Sequence, residues 1–373
     1  MKILLVGAGG YGIVYVRELL DKRPAYIVWE GIVDPYFSEC AERERITAAG
    51  IPVYDTMEEF YQAHTADLAV ICTPPFLHRE QSITALRHGS YVLCEKPVAP
   101  TLAEAEAMLK AEKESEKFIA IGYQWSFSDA ILALKKDVLD GVLGAPVSMK
   151  TAICWPRNFA YYRRGGGWGG KIEKDGITVL DSIASNACAH YLHNMLFLLG
   201  SRMEESALAD SIEADCLRAN DIETFDTCAL RARVANIPIY FIASHATEKA
   251  KNPEFVYVFE NATVRFSEDA DSMIRATFRD GTEKCYGNPF ANDFKKLWDT
   301  VAAIKENKVP VCTVKTAIAH TELIGLLHQT TTYRPFEKDS VVLNASADGV
   351  YVKGLFDQIY RAYDSAALLS ELT

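Results

Sequence analysis

What this chain of 373 residues lacks narrows its function first. No apolar run approaches the roughly 20 residues that span a bilayer. No block of basic residues offsets a formal charge of −11, from 39 Lys and Arg against 50 Asp and Glu, so nucleic acid and anionic membranes are poor electrostatic partners. The nine cysteines (Cys40, Cys72, Cys94, Cys154, Cys188, Cys216, Cys228, Cys285 and Cys312) form no C-x-x-C pair, and their number is odd. Several sit in apolar runs such as Val70-Ile71-Cys72 and Val92-Leu93-Cys94, where a free Cys acts as a small buried hydrophobe and a reducing compartment fits. G-x-S-x-G, H-E-x-x-H and zinc spacing are all missing, and His190 and His193 have no third ligand nominated by spacing, so no metal is expected. There is no internal repeat and no low-complexity linker. Met1 to Val6 already read as a buried strand, which leaves no room for a signal peptide, and a cytoplasmic protein is expected.

What is present is enough apolar residue, 49%, to build two cores. Lys2–Val6 is an apolar run stopped by glycines, and helical spacing follows from Tyr11 to Leu20. Further strands are expected at 26–33, 51–54, 67–72, 91–94 and 118–121, with helices between them. Thr101 and Glu104 form a capping box for one of these helices. Strands alternating with helices at this rhythm give an α/β fold with a doubly wound parallel sheet over residues 1–124. After Gly122 the rhythm changes. Beyond a helix from Ser128 to Leu139, strand-like runs at 239–242, 255–259 and 274–278 follow one another, and helices are expected near 292–305 and 315–329. Residues 125–373 therefore read as an α+β domain with a mostly antiparallel sheet that shapes a small-molecule site.

Gly7-Ala8-Gly9-Gly10-Tyr11-Gly12 matches G-x-G-x-x-G directly after a strand and at the start of a helix. The glycines allow a tight turn, a close backbone approach to pyrophosphate, and close packing of helix on strand. Asp34 ends the second strand about 20 residues on, where a carboxylate can accept from a ribose 2′-OH and would repel a 2′-phosphate. No basic residue follows in Pro35-Tyr36-Phe37, which favours NAD over NADP; an Asp capping the next element is the structural alternative. Thr73, Pro74 and Pro75 form a rigid turn after the fourth strand, and His78 lies just beyond at the border of the cofactor cleft.

Cys94-Glu95-Lys96-Pro97 closes the fifth strand. The glycine fingerprint, then T-P-P-x-x-H, then E-K-P, then Gly122-Tyr123-Gln124, resembles the glucose-fructose oxidoreductase and inositol dehydrogenase (Gfo/Idh/MocA) family across the first domain. The resemblance implies a Rossmann domain binding a nicotinamide cofactor, with Gln124 and Glu95 also at the cofactor. It makes Lys96 a catalytic residue that contacts the substrate hydroxyl and the nicotinamide ribose. An ammonium there would stabilise a developing alkoxide, and Glu95 would orient it. The family's partner acid or base is a helical histidine, which His190 matches, ten residues before Gly200. Asn186 stands where the family commonly has an Asp.

Asn186, His190, His193 and Asn194 would share a polar helical stripe opposite Leu192, Leu196 and Leu199. Packing histidines are the alternative there. The stretch from Trp155 to Trp168 mixes aromatics, arginines and glycines as a loop that stacks on a sugar would. It nominates Arg157, Tyr161, Tyr162, Arg163 and Trp168 for substrate, with Lys171 and Asp181 as additions, although such a loop also suits a protein interface. The expected activity is hydride transfer between NAD(H) and a secondary hydroxyl of a sugar, polyol or inositol. An NAD-dependent glycoside hydrolase and a non-catalytic sugar-sensing regulator are the rivals. The resemblance also implies a homodimer or homotetramer.

Overall fold

The computed structural model describes residues 1–372, which divide into two compact units. The first holds Met1–Tyr123 and Phe294–Ile318; the second holds Gln124–Asp293 and the chain from Ala319 onward. A contiguous division at 124/125 does not contain this return of Phe294–Ile318 to the first unit. The helix Lys295–Glu306 buries Leu297, Thr300, Val301 and Ala303, and the stretch after it lies along the sheet edge, where Ile121 donates its N–H to Cys312 O at 2.9 Å.

In the first unit, β1 (Lys2–Val6), β2 (Val28–Val33), β3 (Val53–Tyr54), β4 (Leu68–Ile71), β5 (Tyr91–Cys94) and β6 (Ile119–Ile121) form a parallel sheet of order β3-β2-β1-β4-β5-β6. This is the dinucleotide-binding order, with β1 beside β4 at the switch point. Ile3, Leu4 and Leu5, like all of β4, are buried as a sheet covered on both faces requires. Local chemistry sets the connecting helices. Thr56 caps Met57–Ala63 through the Glu59 N–H, and Thr101 and Glu104 cap Leu102–Ser115 reciprocally.

The second unit is built on a nine-stranded sheet. Its strands, with two short ribbons, are β7 (Pro146–Cys154), β8 (Glu173–Lys174), β9 (Ile177–Thr178), β10 (Ala209–Arg218), β11 (Thr227–Val234), β12 (Ile237–Ser244), β13 (Lys251–Phe259), β14 (Ala262–Ser267), β15 (Ile274–Phe278), β16 (Glu283–Gly287), β17 (Tyr333–Pro335), β18 (Val341–Asn344) and β19 (Gly349–Val352). The order β16-β15-β14-β13-β7-β12-β11-β10-β17 is antiparallel except at β7–β12 and β10–β17.

Alternation along β7 shows what covers each face. Thr151 points to Met195 of the helix Ala189–Leu198, while Lys150 reaches Tyr363 O at 2.9 Å. The face carrying Ala152, Cys154, Ala229, Tyr240 and Ile242 is covered by Val352, Leu355, Ile359, Ala362 and Tyr363. The helix Leu355–Ser365 thus seals the centre of the sheet. Among the described residues no helix is long and apolar enough to cross a membrane.

Candidate functional site

The dinucleotide turn follows from its glycines. Gly7 has φ +88° and donates its N–H to Val33 O at 2.8 Å, tying the turn to the end of β2. A Cβ on Gly12 would stand 2.1 Å from Gly7 O, so the helix Gly12–Lys22 can begin this close to β1 only with glycine there. At Gly9 and Gly10, by contrast, an added Cβ would meet nothing within 4 Å. The backbone there is open, at the N-terminus of an 11-residue helix, and this cradle fits a dinucleotide pyrophosphate. Tyr11 is exposed beside it.

Asp34 is buried, and its carboxylate holds the glycine turn. Its Oδ2 accepts from the Ala8 and Gly9 N–H groups at 2.8 and 3.2 Å, and Oδ1 accepts from the Tyr36 N–H at 2.8 Å. The carboxylate pins the glycine turn and caps the next one. It still has lone pairs for a ribose hydroxyl, since a carboxylate offers about four acceptor positions.

Glu95 corrects one expectation. Its carboxylate does not turn to the Lys96 side chain: Oε1 accepts from the Tyr15 hydroxyl at 2.7 Å and pairs with Lys296 Nζ, while Oε2 accepts the Lys96 backbone N–H at 3.2 Å. The Lys296 side chain is fully buried. Burial opposes its charge, yet the Glu95 carboxylate leaves its pKa above the ordinary value. Gly122 makes room for this pair, because a Cβ there would lie 2.8 Å from Glu95 Oε1. No motif announces Lys296; the only signal is a lysine on the otherwise apolar face of the helix Lys295–Glu306. Lys296 Nζ also lies 3.4 Å from the Tyr11 hydroxyl, so the E-K-P turn is braced against the glycine turn.

Lys96 stands half-buried after β5, before a cis bond to Pro97. The Thr73-Pro74-Pro75 turn leaves β4, its neighbour in the sheet, at the same carboxyl edge, where ligands of such sheets bind. His78 joins the two turns, with its ring nitrogens 2.9 Å from Thr73 O and 2.8 Å from Pro97 O, and burial lowers its pKa. It braces the cleft from behind.

In the second unit the polar stripe needs correction. Asn186 lies in a π-turn, Ile183–Ala187, ahead of the helix Ala189–Leu198, and not on one regular helix with His190. His193 and Asn194 are core residues: His193 Nε2 lies 3.1 Å from Ser126 Oγ, and Asn194 donates to the Tyr257 hydroxyl at 3.3 Å. Burial drives the His193 pKa well below its ordinary value. The helix is apolar nearly all round and is buried nearly all round. His190 alone of the three stays half-buried, in its first turn. Gln124 is likewise half-buried, in the short turn Gln124–Phe127.

The missing Asp at 186 is answered by Asp181. Its Oδ1 accepts from Asn186 Nδ2 at 2.8 Å, Oδ2 accepts from the Gly170 N–H at 2.7 Å, and Arg164 lies 3.6 Å away. A carboxylate thus stands beyond the Asn186 amide, which donates to it. The Trp155–Trp168 stretch is not all loop: Asn158 caps a helix, Phe159–Gly167, that breaks at Arg164–Gly166. Arg157 stands over the Tyr161 ring at 4.9 Å, and Arg164 over Tyr161 and Trp168 at 3.8 and 4.2 Å. Trp168 is buried and Arg163 is exposed. The Tyr162 hydroxyl meets Asn220 Nδ2 at 3.4 Å, and Lys171 pairs with Glu223 at 2.7 Å. Arg164 and His245, which no motif nominates, join this cluster; the His245 ring is 5.3 Å from that of Tyr161, and its Nδ1 is 2.7 Å from Trp155 O. Among the described residues no group of three His, Cys, Asp or Glu side chains is placed to hold a metal ion.

Residues 1–123 match the sequence profile of the oxidoreductase family with an NAD-binding Rossmann fold, Gfo/Idh/MocA. Inositol 2-dehydrogenase of Rhodococcus jostii is 30% identical over 163 residues, 42% of each chain. The rhizopine catabolism protein MocA of Rhizobium meliloti is 30% identical over 140 residues, 38% of this chain and 43% of that one. The chain spans less than half the length of the curated relatives it matches. The fold likeness reaches further. The WlbA dehydrogenase of Bordetella pertussis, solved with NADH and UDP-GlcNAcA, superposes with a TM-score of 0.72 at 21% identity, over 88% of this chain and 96% of that one. The fingerprint, the E-K-P turn and the sheet order agree with the profile match, so residues 1–123 are similar to the NAD-binding domain of the Gfo/Idh/MocA oxidoreductases.

Proposed function

We propose that the protein transfers hydride between NAD(H) and a secondary hydroxyl of a sugar, polyol or inositol. The observation that carries this reading is the Lys96 turn. It is braced from behind by the Glu95–Lys296–Tyr15 cluster, at the carboxyl edge of a sheet whose glycine turn is open to a diphosphate. The names of relatives such as inositol 2-dehydrogenase support the substrate class.

When bound, the nicotinamide supplies hydride acceptance and donation. Gly9 and Gly10 would hold its diphosphate and Asp34 the adenosine ribose, where the carboxylate disfavours a 2′-phosphate and so favours NAD over NADP. The Lys96 ammonium stabilises the oxygen that becomes alkoxide, and His190 takes or returns its proton. A homo-oligomer built on the nine-stranded sheet would have to use strands outside the part covered by the helix Leu355–Ser365.

The test is purified protein with NAD and a panel of sugars, polyols and inositols, followed by nicotinamide absorbance. Reduction with one class, abolished in Lys96→Ala and strongly slowed in His190→Asn, supports the reading. Cofactor binding without net reduction by any compound refutes it and moves the case to the internal-redox hydrolase or the regulator; released sugar in the same samples separates those two.

A further inference from the structure

The second unit contains a cavity of about 490 Å³ whose wall includes Arg157, Asn158, Tyr161, Glu248, Gly349 and Tyr351. It is built by two segments far apart in sequence. One is the chain leaving β7, and the other is the hairpin β18–β19 near the C-terminus. They are locked together: Phe159 donates its N–H to Asp348 O at 2.8 Å, and a Cβ on Gly349 would stand 3.0 Å from Arg157 O.

The cavity's charges do not cancel each other. Glu248 is committed elsewhere. Its carboxylate accepts the N–H groups of Gly354 and Phe356, at the N-terminus of the 11-residue helix Leu355–Ser365, where a negative charge is already stabilised. Arg157 has no such partner. Among the described residues no carboxylate lies within ion-pair distance of it, and its Nε is buried with no hydrogen-bond acceptor. Its guanidinium is held instead by the Tyr161 and Trp155 rings, at 4.9 and 5.6 Å. A buried guanidinium N–H is thus left unanswered beside the cavity, which is costly in a protein unless a ligand supplies an acceptor.

We propose that this cavity takes the acidic group of the substrate, so that the preferred substrate is a monoanionic carbohydrate, a sugar acid carrying one carboxylate, over a neutral polyol. The proposal rests on the dehydrogenase reading above and narrows its substrate class. A guanidinium fork pairs with a planar carboxylate through two parallel hydrogen bonds. One carboxylate balances one arginine, whereas a phosphate monoester brings about −1.5 to −2 charges and would leave an excess beside Glu248. The position suits a remote anchor for the reacting sugar. From Arg157 the contacts run through Tyr161 to Arg164, Asp181 and Asn186, which stands four residues before His190.

The test compares neutral hexoses and inositols, hexuronates and aldonates, and hexose 6-phosphates with the full chain and NAD, by turnover and by thermal shift. The expected result is that a carboxylate-bearing probe is preferred. In Arg157→Gln its KM should rise about 30- to 100-fold with kcat nearly unchanged, and Arg157→Lys should recover part of the loss. Preference for a neutral or phosphorylated probe overturns the proposal, as does an equal loss for all probes in Arg157→Gln. If a neutral polyol is oxidised without any acid preference, the dehydrogenase reading survives and this one falls. If nothing is oxidised, the thermal shift decides alone: the absence of an Arg157-dependent shift with every acid refutes the cavity assignment.

Discussion

Replacing Lys296 by methionine keeps most of the side chain's volume and removes its charge. Glu95 would then be left in a site where its side chain is 8% exposed, with the Tyr15 hydroxyl and the Lys96 N–H as its remaining donors. Breaking a buried pair by removing one partner costs about 3–5 kcal/mol, because the other charge stays desolvated. For a domain of this size that is a fall in Tm on the order of 10 °C. Removing both charges should be far milder, since a buried pair replaced by neutral side chains of similar volume is often close to neutral. Lys296→Met with Glu95→Gln is therefore expected to recover at least half of the loss. Urea unfolding of the four proteins (wild type, two single variants and the double) gives the coupling energy directly. A loss below about 1 kcal/mol in Lys296→Met, the range of an exposed pair, would refute the claim that this pair braces the two turns. So would a double variant no better than the single one.

Gly12→Ala is expected to weaken NAD binding more than tenfold and to destabilise the first unit by over about 2 kcal/mol, because its Cβ would sit 2.1 Å from Gly7 O; cofactor titration and melting check both. His245 has its pKa pushed down to about 3 by burial and by Arg157. The unfolded chain therefore takes up a proton near pH 6.5 that the folded chain refuses, so stability is full above that pH and is lost as the pH falls. The loss from this residue is about 1 kcal/mol between pH 6.5 and 5.5, and His245→Gln should flatten the curve by that amount; an unchanged slope counts against it. Of the nine free thiols Cys285 alone is exposed, so a thiol reagent should give one fast equivalent, absent in Cys285→Ser. Asp34→Ala should shift cofactor preference toward NADP by about tenfold or more and loosen the glycine turn, which loses its acceptor for two N–H groups; an unchanged preference would remove Asp34 from the ribose site.

The sequence by itself determined whatever depends on neighbours along the chain. The alternation of short apolar runs with helical periods gave the parallel sheet, and the glycine fingerprint gave the turn at its centre. Tyr91–Cys94 and Met57–Ala63 stand where the pattern puts them, and Thr101 with Glu104 forms the expected box, since capping needs only residues three apart. Tertiary structure decided everything that depends on which distant side chains meet. Glu95 faces a lysine 201 residues away, and Asp181 supplies the carboxylate missing at 186. His193 and Asn194 vanish into a core that periodicity alone cannot tell from a polar stripe. The helix Leu355–Ser365 covers a sheet face whose need for cover is visible only once β7 and β12 lie side by side. A local pattern specifies an element and its face; the partner of that face, and the charge that balances a buried group, are fixed only when packing brings them within a few ångströms.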